Sequence, residues 1–260
     1  MTTIQVILAI VSGSIVGFVL GLLGGGGSIL ATPLLLYVVG VQDPHVVIGT
    51  SALAVAVNAY ANFIPHARAG HVRWKTAVYF AIPGAIGAYF GSFVGKLIPG
   101  NQLLFLFAVL MIVMAVRMAI PKRKKDETDE VGEQVHFLRV VVIALLVGVL
   151  SGFFGIGGGF LIVPGLLIAT KMPMIAAIGS SLLSVGTFGL TTAVTYSLSG
   201  LVDWWVALEF VGGGIIGGIA GVFLAKRLSK RQRVLNYVFS GVVMAVAIYM
   251  LFINAEALNL

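Results

Sequence analysis

Two glycine-rich blocks, 131 residues apart, constrain what this chain can fold into more than any other feature. The first is Gly24-Gly25-Gly26-Gly27-Ser28-Ile29-Leu30-Ala31-Thr32-Pro33. The second is Gly155-Ile156-Gly157-Gly158-Gly159-Phe160-Leu161-Ile162-Val163-Pro164. The shift carries Gly24 onto Gly155, Gly26 onto Gly157, Gly27 onto Gly158, Leu30 onto Leu161 and Pro33 onto Pro164. Each block follows a long apolar segment and opens a short one. Consecutive glycines are poor helix formers, so one helix is expected to stop there and another to begin. Inside a bilayer such a break persists only where the freed backbone is buried in protein or lines a cavity. Matched interruptions in two halves of a chain point to the binding site of a transporter.

A bilayer is the right solvent to consider. Only 10% of the 260 residues are charged and 59% are hydrophobic, against about 25% charged in a soluble domain. With no cysteine, disulfides, thiol nucleophiles and thiolate metal sites are excluded. The start, Met1-Thr2-Thr3-Ile4-Gln5, lacks the basic region of a signal peptide, so the first apolar run reads as a retained span. The net charge of +7 sits in loops between apolar segments, where it orients the chain and implies no nucleic acid.

The repeat reaches well past the glycines. From Gly49 onward the shift is 130 and pairs Gly49 with Gly179, Ser51 with Ser181, Gly70 with Gly200, Trp74 with Trp204 and Lys96 with Lys226. Met114-Ala115-Val116 falls on Met244-Ala245-Val246. The expected organisation is a first transmembrane repeat over 1–120, a charged cytoplasmic linker over 121–135 and a second repeat over 136–260. The first half offers apolar segments Ile4 to Leu23, Ser28 to Gly40, His45 to Ile64, Lys75 to Lys96 and Gln102 to Ile120. The second offers Phe137 to Phe154, Gly159 to Ala169, Pro173 to Ser199, Trp204 to Lys226 and Gln232 to Ile253. A span needs about 20 residues, and the second segment of each half falls well short, which sinks its ends below the membrane surface.

Basic residues gather on the cytoplasmic side. If all ten segments cross and the amino terminus is outside, fifteen of the sixteen Lys and Arg lie inside and only Lys96 lies outside. If each half crosses four times, the split is nine to seven. The first arrangement is favoured, and an odd number of crossings per half inverts one half relative to the other. The fold expected is an all-α polytopic membrane protein. It has two inverted repeats of about five helical segments, the second short and preceded by a glycine-rich break.

The glycine blocks lead the candidate site residues: Gly24, Gly25, Gly26, Gly27 and Ser28, with Gly155, Gly157, Gly158 and Gly159. Short helices starting near Ser28 and Gly159 would offer unpaired N–H groups and a positive dipole end, which suit an anion without any charged side chain. The competing role is close helix packing, the role expected for Gly87, Gly91, Gly213, Gly217 and Gly221. Thr50, Ser51, Ser180 and Ser181 could add hydroxyls to an oxyanion, or bond back to carbonyls one turn earlier. Asn58 and Asn62 share one helical face that should turn into the bundle, toward substrate or toward a neighbouring helix. Glu209 is the carboxylate placed clearly inside an apolar segment, a candidate for proton coupling unless it sits at the interface. His45, His66, His71 and His136 fall at segment ends without metal-ligand spacing, so no metal is expected. Trp74, Trp204 and Trp205 read as belt residues. No nucleotide loop, cofactor motif or nucleophile–base arrangement is present, so no cofactor and no enzyme activity are expected.

The blocks GLLGGGGSILATPLLL and GFFGIGGGFLIVPGLL, with the GTSAL and GSSLL stretches that follow each, resemble the TauE/SafE family of sulfite exporter-like membrane permeases. The likeness covers essentially the whole chain. It implies transport of sulfite, sulfonates or related organosulfur anions, often outward. It marks Gly24 to Ser28, Pro33, Gly155 to Gly159 and Pro164 as site-forming. The reading is a multi-pass secondary transporter of a small anion in the cytoplasmic membrane. An anion channel or a non-transporting membrane assembly subunit are the alternatives. The partners expected are a small anion and lipid; a homo-oligomer is compatible with the sequence.

Overall fold

The computed structural model describes residues 2–120, 137–170, 172–228 and 232–256. The charged linker, and with it His136, lies outside these residues, as does the side chain of Lys226. All the regular structure described is helical. Its elements are α1 (Thr3–Leu23), a 3-10 stretch (Gly24–Leu30) leading through one α-turn, α2 (Ala31–Pro33), into a π-helical turn (Leu34–Val39), then α3 (Pro44–Arg68), α4 (Trp74–Gly95) and α5 (Gly100–Ala119). The second half contributes α6 (Phe137–Phe154), α7 (Gly159–Thr170), α8 (Met174–Ser197), α9 (Trp204–Leu228) and α10 (Gln232–Glu256). Eight helical stretches among the described residues are long and apolar enough to cross a membrane; α7 is shorter.

Local chemistry sets the ends. Thr2 and Gln5 form a capping box at the start of α1. The Asp43 side chain accepts from the His45 and Val46 amides, with Pro44 in the first helical turn of α3. Asp203 does the same for Trp205 and Val206 at the start of α9, satisfying donors that have no partner inside a helix. At the end of α8, Lys96 Nζ donates to the Thr195 carbonyl at 3.0 Å and to Ser199 Oγ at 2.9 Å. A cation there complements the negative end of the helix.

The tightest helix contacts run through glycine. Gly13, Gly17 and Gly21 of α1 lie against Phe210, Gly214 and Gly218 of α9. Gly148 and Gly152 of α6 meet Gly84 and Ala88 of α4. Gly87 and Gly91 face carbonyls of α6, and Gly213, Gly217 and Gly221 face carbonyls of α1. With no side chain in between, backbones approach until dispersion and Cα–H···O contacts hold them. The packing role expected for these five glycines is the one observed.

These contacts also give directions. Positions rise together along α1 and α9, and along α3 and α9, where Asn58 meets Gly214 and Asn62 meets Gly218. Thus α1 and α3 run the same way, and the stretch between them carries the chain back. Gly27 confirms the reversal by lying against Val16, Val19 and Leu20 of the helix just completed. In the second half α6 and α8 both run parallel to α4 of the first half, with Gly148 against Gly84, Gly152 against Ala88, Phe188 against Gly84 and Thr192 on Ser92, so α7 makes the return. Between halves the sense changes. Tyr60 bonds Thr187 at 3.1 Å, Gly189 lies over Ala52 and Ala56, and Gly49 lies beside Tyr196. Helices α3 and α8, counterparts under the 130-residue shift, are therefore antiparallel.

The outer surface is apolar. Ile82, Phe90, Leu146, Ile216 and Phe223 are exposed, as are Trp74, Trp204 and Trp205. In water such a surface would aggregate; in lipid it is the expected coat.

Candidate functional site at the paired glycine loops

The two loops come together in the interior. Every residue from Gly24 to Pro33 is buried, as is every residue from Phe154 to Phe160. Gly25 and Gly159 touch backbone to backbone, with no space for a Cβ on either. The sequence named both as candidate site residues, and the structure brings the two together from the two halves.

Each loop is also covered by the other half. Ile178 and Ser181 of α8 lie at Gly24, and Ile48 of α3 lies at Gly155. These contacts are images of each other, since Ile48 and Ile178 are 130 residues apart. Ser51 donates to the Ile48 carbonyl at 3.0 Å, and Ser181 to the Ile178 carbonyl at 2.8 Å. This is the back-bonding that Ser and Thr favour in apolar helices. Ser51 also lies 3.2 Å from Thr32 Oγ1, and Ser28 donates to the Gly25 carbonyl at 2.9 Å. Thr50 and Ser180 face elsewhere: their oxygens accept the amides of Asp203 and Arg73.

Helical winding in the first half begins at Gly24, not near Ser28. The amides from Gly26 to Ile29 therefore lie within a helical stretch, and the open end falls on the first glycines. In the second half α7 does begin at Gly159, with the Gly158 carbonyl accepting from Leu161 at 2.8 Å and Ile162 at 2.9 Å.

Asn58 and Asn62 are buried, as their shared face required. Asn62 donates to the Asn58 carbonyl, whereas neither side-chain atom of Asn58 has a partner among the described residues. Glu209 stands apart from the loops in sequence and lies partly buried on α9, with one carboxylate oxygen buried and unpartnered among the described residues. His66 is buried near the end of α3 with its ring 5.8 Å from that of His71.

Sequence reasoning missed Thr32 and Ser151. Thr32 touches Ser51, and Ser151 lies against Gly158 with its hydroxyl unpartnered among the described residues. Their signal was available: a hydroxyl inside an apolar segment, within or about one turn from a glycine block. It lacked the repetition that singled out the others, since the shift puts Leu20 opposite Ser151 and Val163 opposite Thr32. The assembled site holds glycine backbone and neutral hydroxyls and no charged side chain among the residues named.

The family model for the sulfite exporter TauE/SafE matches residues 9–250. The chain belongs to the TauE/SafE family. It is a multi-pass membrane transporter, and its family's model spans both glycine loops. A "probable membrane transporter protein" of Xylella fastidiosa (strain 9a5c) is 54% identical over 96% of this chain and 97% of its own length. The probable membrane transporter protein MJ0441 of Methanocaldococcus jannaschii is 32% identical over 74% of this chain and 71% of its own. YunE of Bacillus subtilis, likewise a probable membrane transporter protein, is 28% identical over 88% and 92%. No solved structure matches the chain.

Proposed function

We propose that this TauE/SafE transporter carries a small anion, namely sulfite, a sulfonate or a related organosulfur anion, and that the paired glycine loops bind it. The supporting observation is the meeting of Gly25 and Gly159, loops from separate halves, inside the protein. Backbone amides at the starts of the two short segments supply donors, and the hydroxyls of Ser28, Ser51 and Ser181 turn from the carbonyls of Gly25, Ile48 and Ile178 to the anion when it binds, since each has one proton to donate. Asn58 adds a free carboxamide within two turns of Ser51. Sulfur oxyanions offer several acceptor oxygens and are held well by such donors without a lysine. A neutral site also releases its ion readily, which turnover requires.

The two halves act as inverted repeats, with the short segments crossing part of the membrane from opposite faces. The antiparallel pairing of the counterparts α3 and α8 supports this reading, as do the parallel directions of α1 and α3. Glu209 is proposed to carry a coupling proton. Glu209→Gln should then leave anion exchange intact and abolish accumulation driven by a pH gradient; unchanged pH-driven uptake would remove it from the mechanism.

The deciding experiment is a thermal-shift series with sulfite, sulfate, sulfoacetate, taurine and thiosulfate, followed by flux in proteoliposomes. A ligand that binds only the folded state raises its stability. Stabilisation by a sulfur oxyanion with saturable flux is expected. Absence of both would refute anion transport.

A further inference from the structure

We infer that Thr50 and Ser180 are gate residues, one for each end of the transport path, rather than ligands of the anion. The inference rests on the glycine loops being the substrate site. Thr50 Oγ1 accepts the Asp203 amide at 2.9 Å, and Ser180 Oγ accepts the Arg73 amide at 3.0 Å. Thr50 is the counterpart of Ser180 and Arg73 of Asp203, both at a shift of 130, so each bond is the image of the other. The neighbouring contacts obey the same rule. Gly49 presses on the Leu201 carbonyl, and Gly179 presses on that of His71. Each short strap, residues 71–73 or 201–203, is thereby clamped to an early turn of α8 or α3 from the opposite half.

The clamped turns are also the ones that cover the loops. Ile48, two residues before Thr50, lies on Gly155, and Ile178, two before Ser180, lies on Gly24. Because α3 and α8 are antiparallel, these turns sit at opposite ends of the pair. The two clamps therefore close the loops from opposite ends. Each strap follows a left-handed glycine, Gly70 at φ 74° or Gly200 at φ 70°. A Cβ at either would meet nothing within 4 Å, so each strap has a hinge with room to turn. Both clamps are shut in this structure and the loops are buried. A carrier that alternates access must release one clamp at a time. A hydroxyl–amide bond is a suitable latch, since its net contribution is small enough for thermal opening.

The absence of cysteine permits a direct test. Ser28→Cys serves as reporter, and labelling by an impermeant maleimide is followed in right-side-out and inside-out vesicles without substrate. Thr50→Val is expected to speed labelling about fivefold to tenfold, the scale of one lost hydrogen bond, from one face only. Ser180→Ala should do so from the opposite face only. Thr50→Ser keeps the acceptor and should label like the parent. Thr50→Ala carries the test if the valine variant does not insert. Hydrogen exchange gives a second readout: the amides of 201–203 should gain exchange in the Thr50 variant and those of 71–73 in the Ser180 variant. Faster labelling from the same face in both variants would overturn the proposal. So would unchanged labelling and exchange in inserted variants. No anion is needed for these measurements, so failure of the gates and failure of anion binding by the loops are read separately.

Discussion

The first glycine loop winds as a 3-10 helix from Gly24 with one left-handed residue, whereas its counterpart passes through left-handed glycines at 155, 157 and 158 before α7 begins. Both are buried and each is covered by an isoleucine of the other half. The neighbours explain part of the difference. Gly27 lies against backbone of Val16 to Leu20, while Gly158 lies against the Ser151 side chain. Equivalent positions therefore have unequal tolerance for a side chain, and a duplicated sequence has produced two dissimilar loops that meet in the interior.

The strongest test of that contrast removes the loops altogether. At Gly27 a Cβ would stand 2.5 Å from the Leu20 amide nitrogen, and at Gly158 it would strike Ser151 in a left-handed backbone. Gly27→Val and Gly158→Val should each insert in the membrane yet abolish anion-induced stabilisation in the thermal-shift series. Normal insertion with unchanged affinity would make the loops packing devices.

A sharper test uses positions that the repeat equates and the structure separates. Gly26 has only ordinary contacts, the nearest at 3.6 Å, whereas Gly157 sits at φ 62° with Val55 at 3.1 Å. Gly157→Ala should lower stability by roughly 1–2 kcal/mol, the cost of a left-handed Cβ. Gly26→Ala should change it by less than about 0.5 kcal/mol, as at sites free of strain. Denaturation in detergent compares them, and equal effects would erase the distinction drawn between the loops.

Smaller effects separate side chains. Ser51→Ala and Ser181→Ala should each weaken anion binding by roughly 1 kcal/mol, measured by titration. If neither does, their hydroxyls serve only the carbonyls of Ile48 and Ile178. Asn58 is the polar member of a pair whose counterpart is Phe188, a residue packed 6.3 Å from the Phe80 ring. Because its carboxamide has no partner among the described residues, Asn58→Leu should leave the melting temperature within a few degrees, an effect of about 1 kcal/mol or less, while reducing anion affinity. A large fall in stability with unchanged affinity would assign Asn58 to the fold.

Much of the fold was legible because membrane helices declare themselves by length and hydropathy. Helix α6 has the expected limits, and α1 starts one residue earlier than read; α3 extends past Ile64 to Arg68, across Pro65. The orientation pattern singled out Lys96, but not its purpose, because the α8 carbonyl it satisfies lies 99 residues away. Repetition alone determined that two matched glycine blocks exist, and the residues of those blocks carried the resemblance to the TauE/SafE family. Burial of Asn58 followed from the cost of an amide in lipid. Tertiary structure alone decided that Gly25 meets Gly159, that Thr50 and Ser180 bind straps of the opposite half, and that Ser151 lies at Gly158. The physical reason is that glycine breaks a helix without dictating which backbone conformation replaces it, and that Ser and Thr hydroxyls can bond any of several nearby groups. Their conformations and partners are set by whichever backbone or side chain the packing of the other half brings within reach.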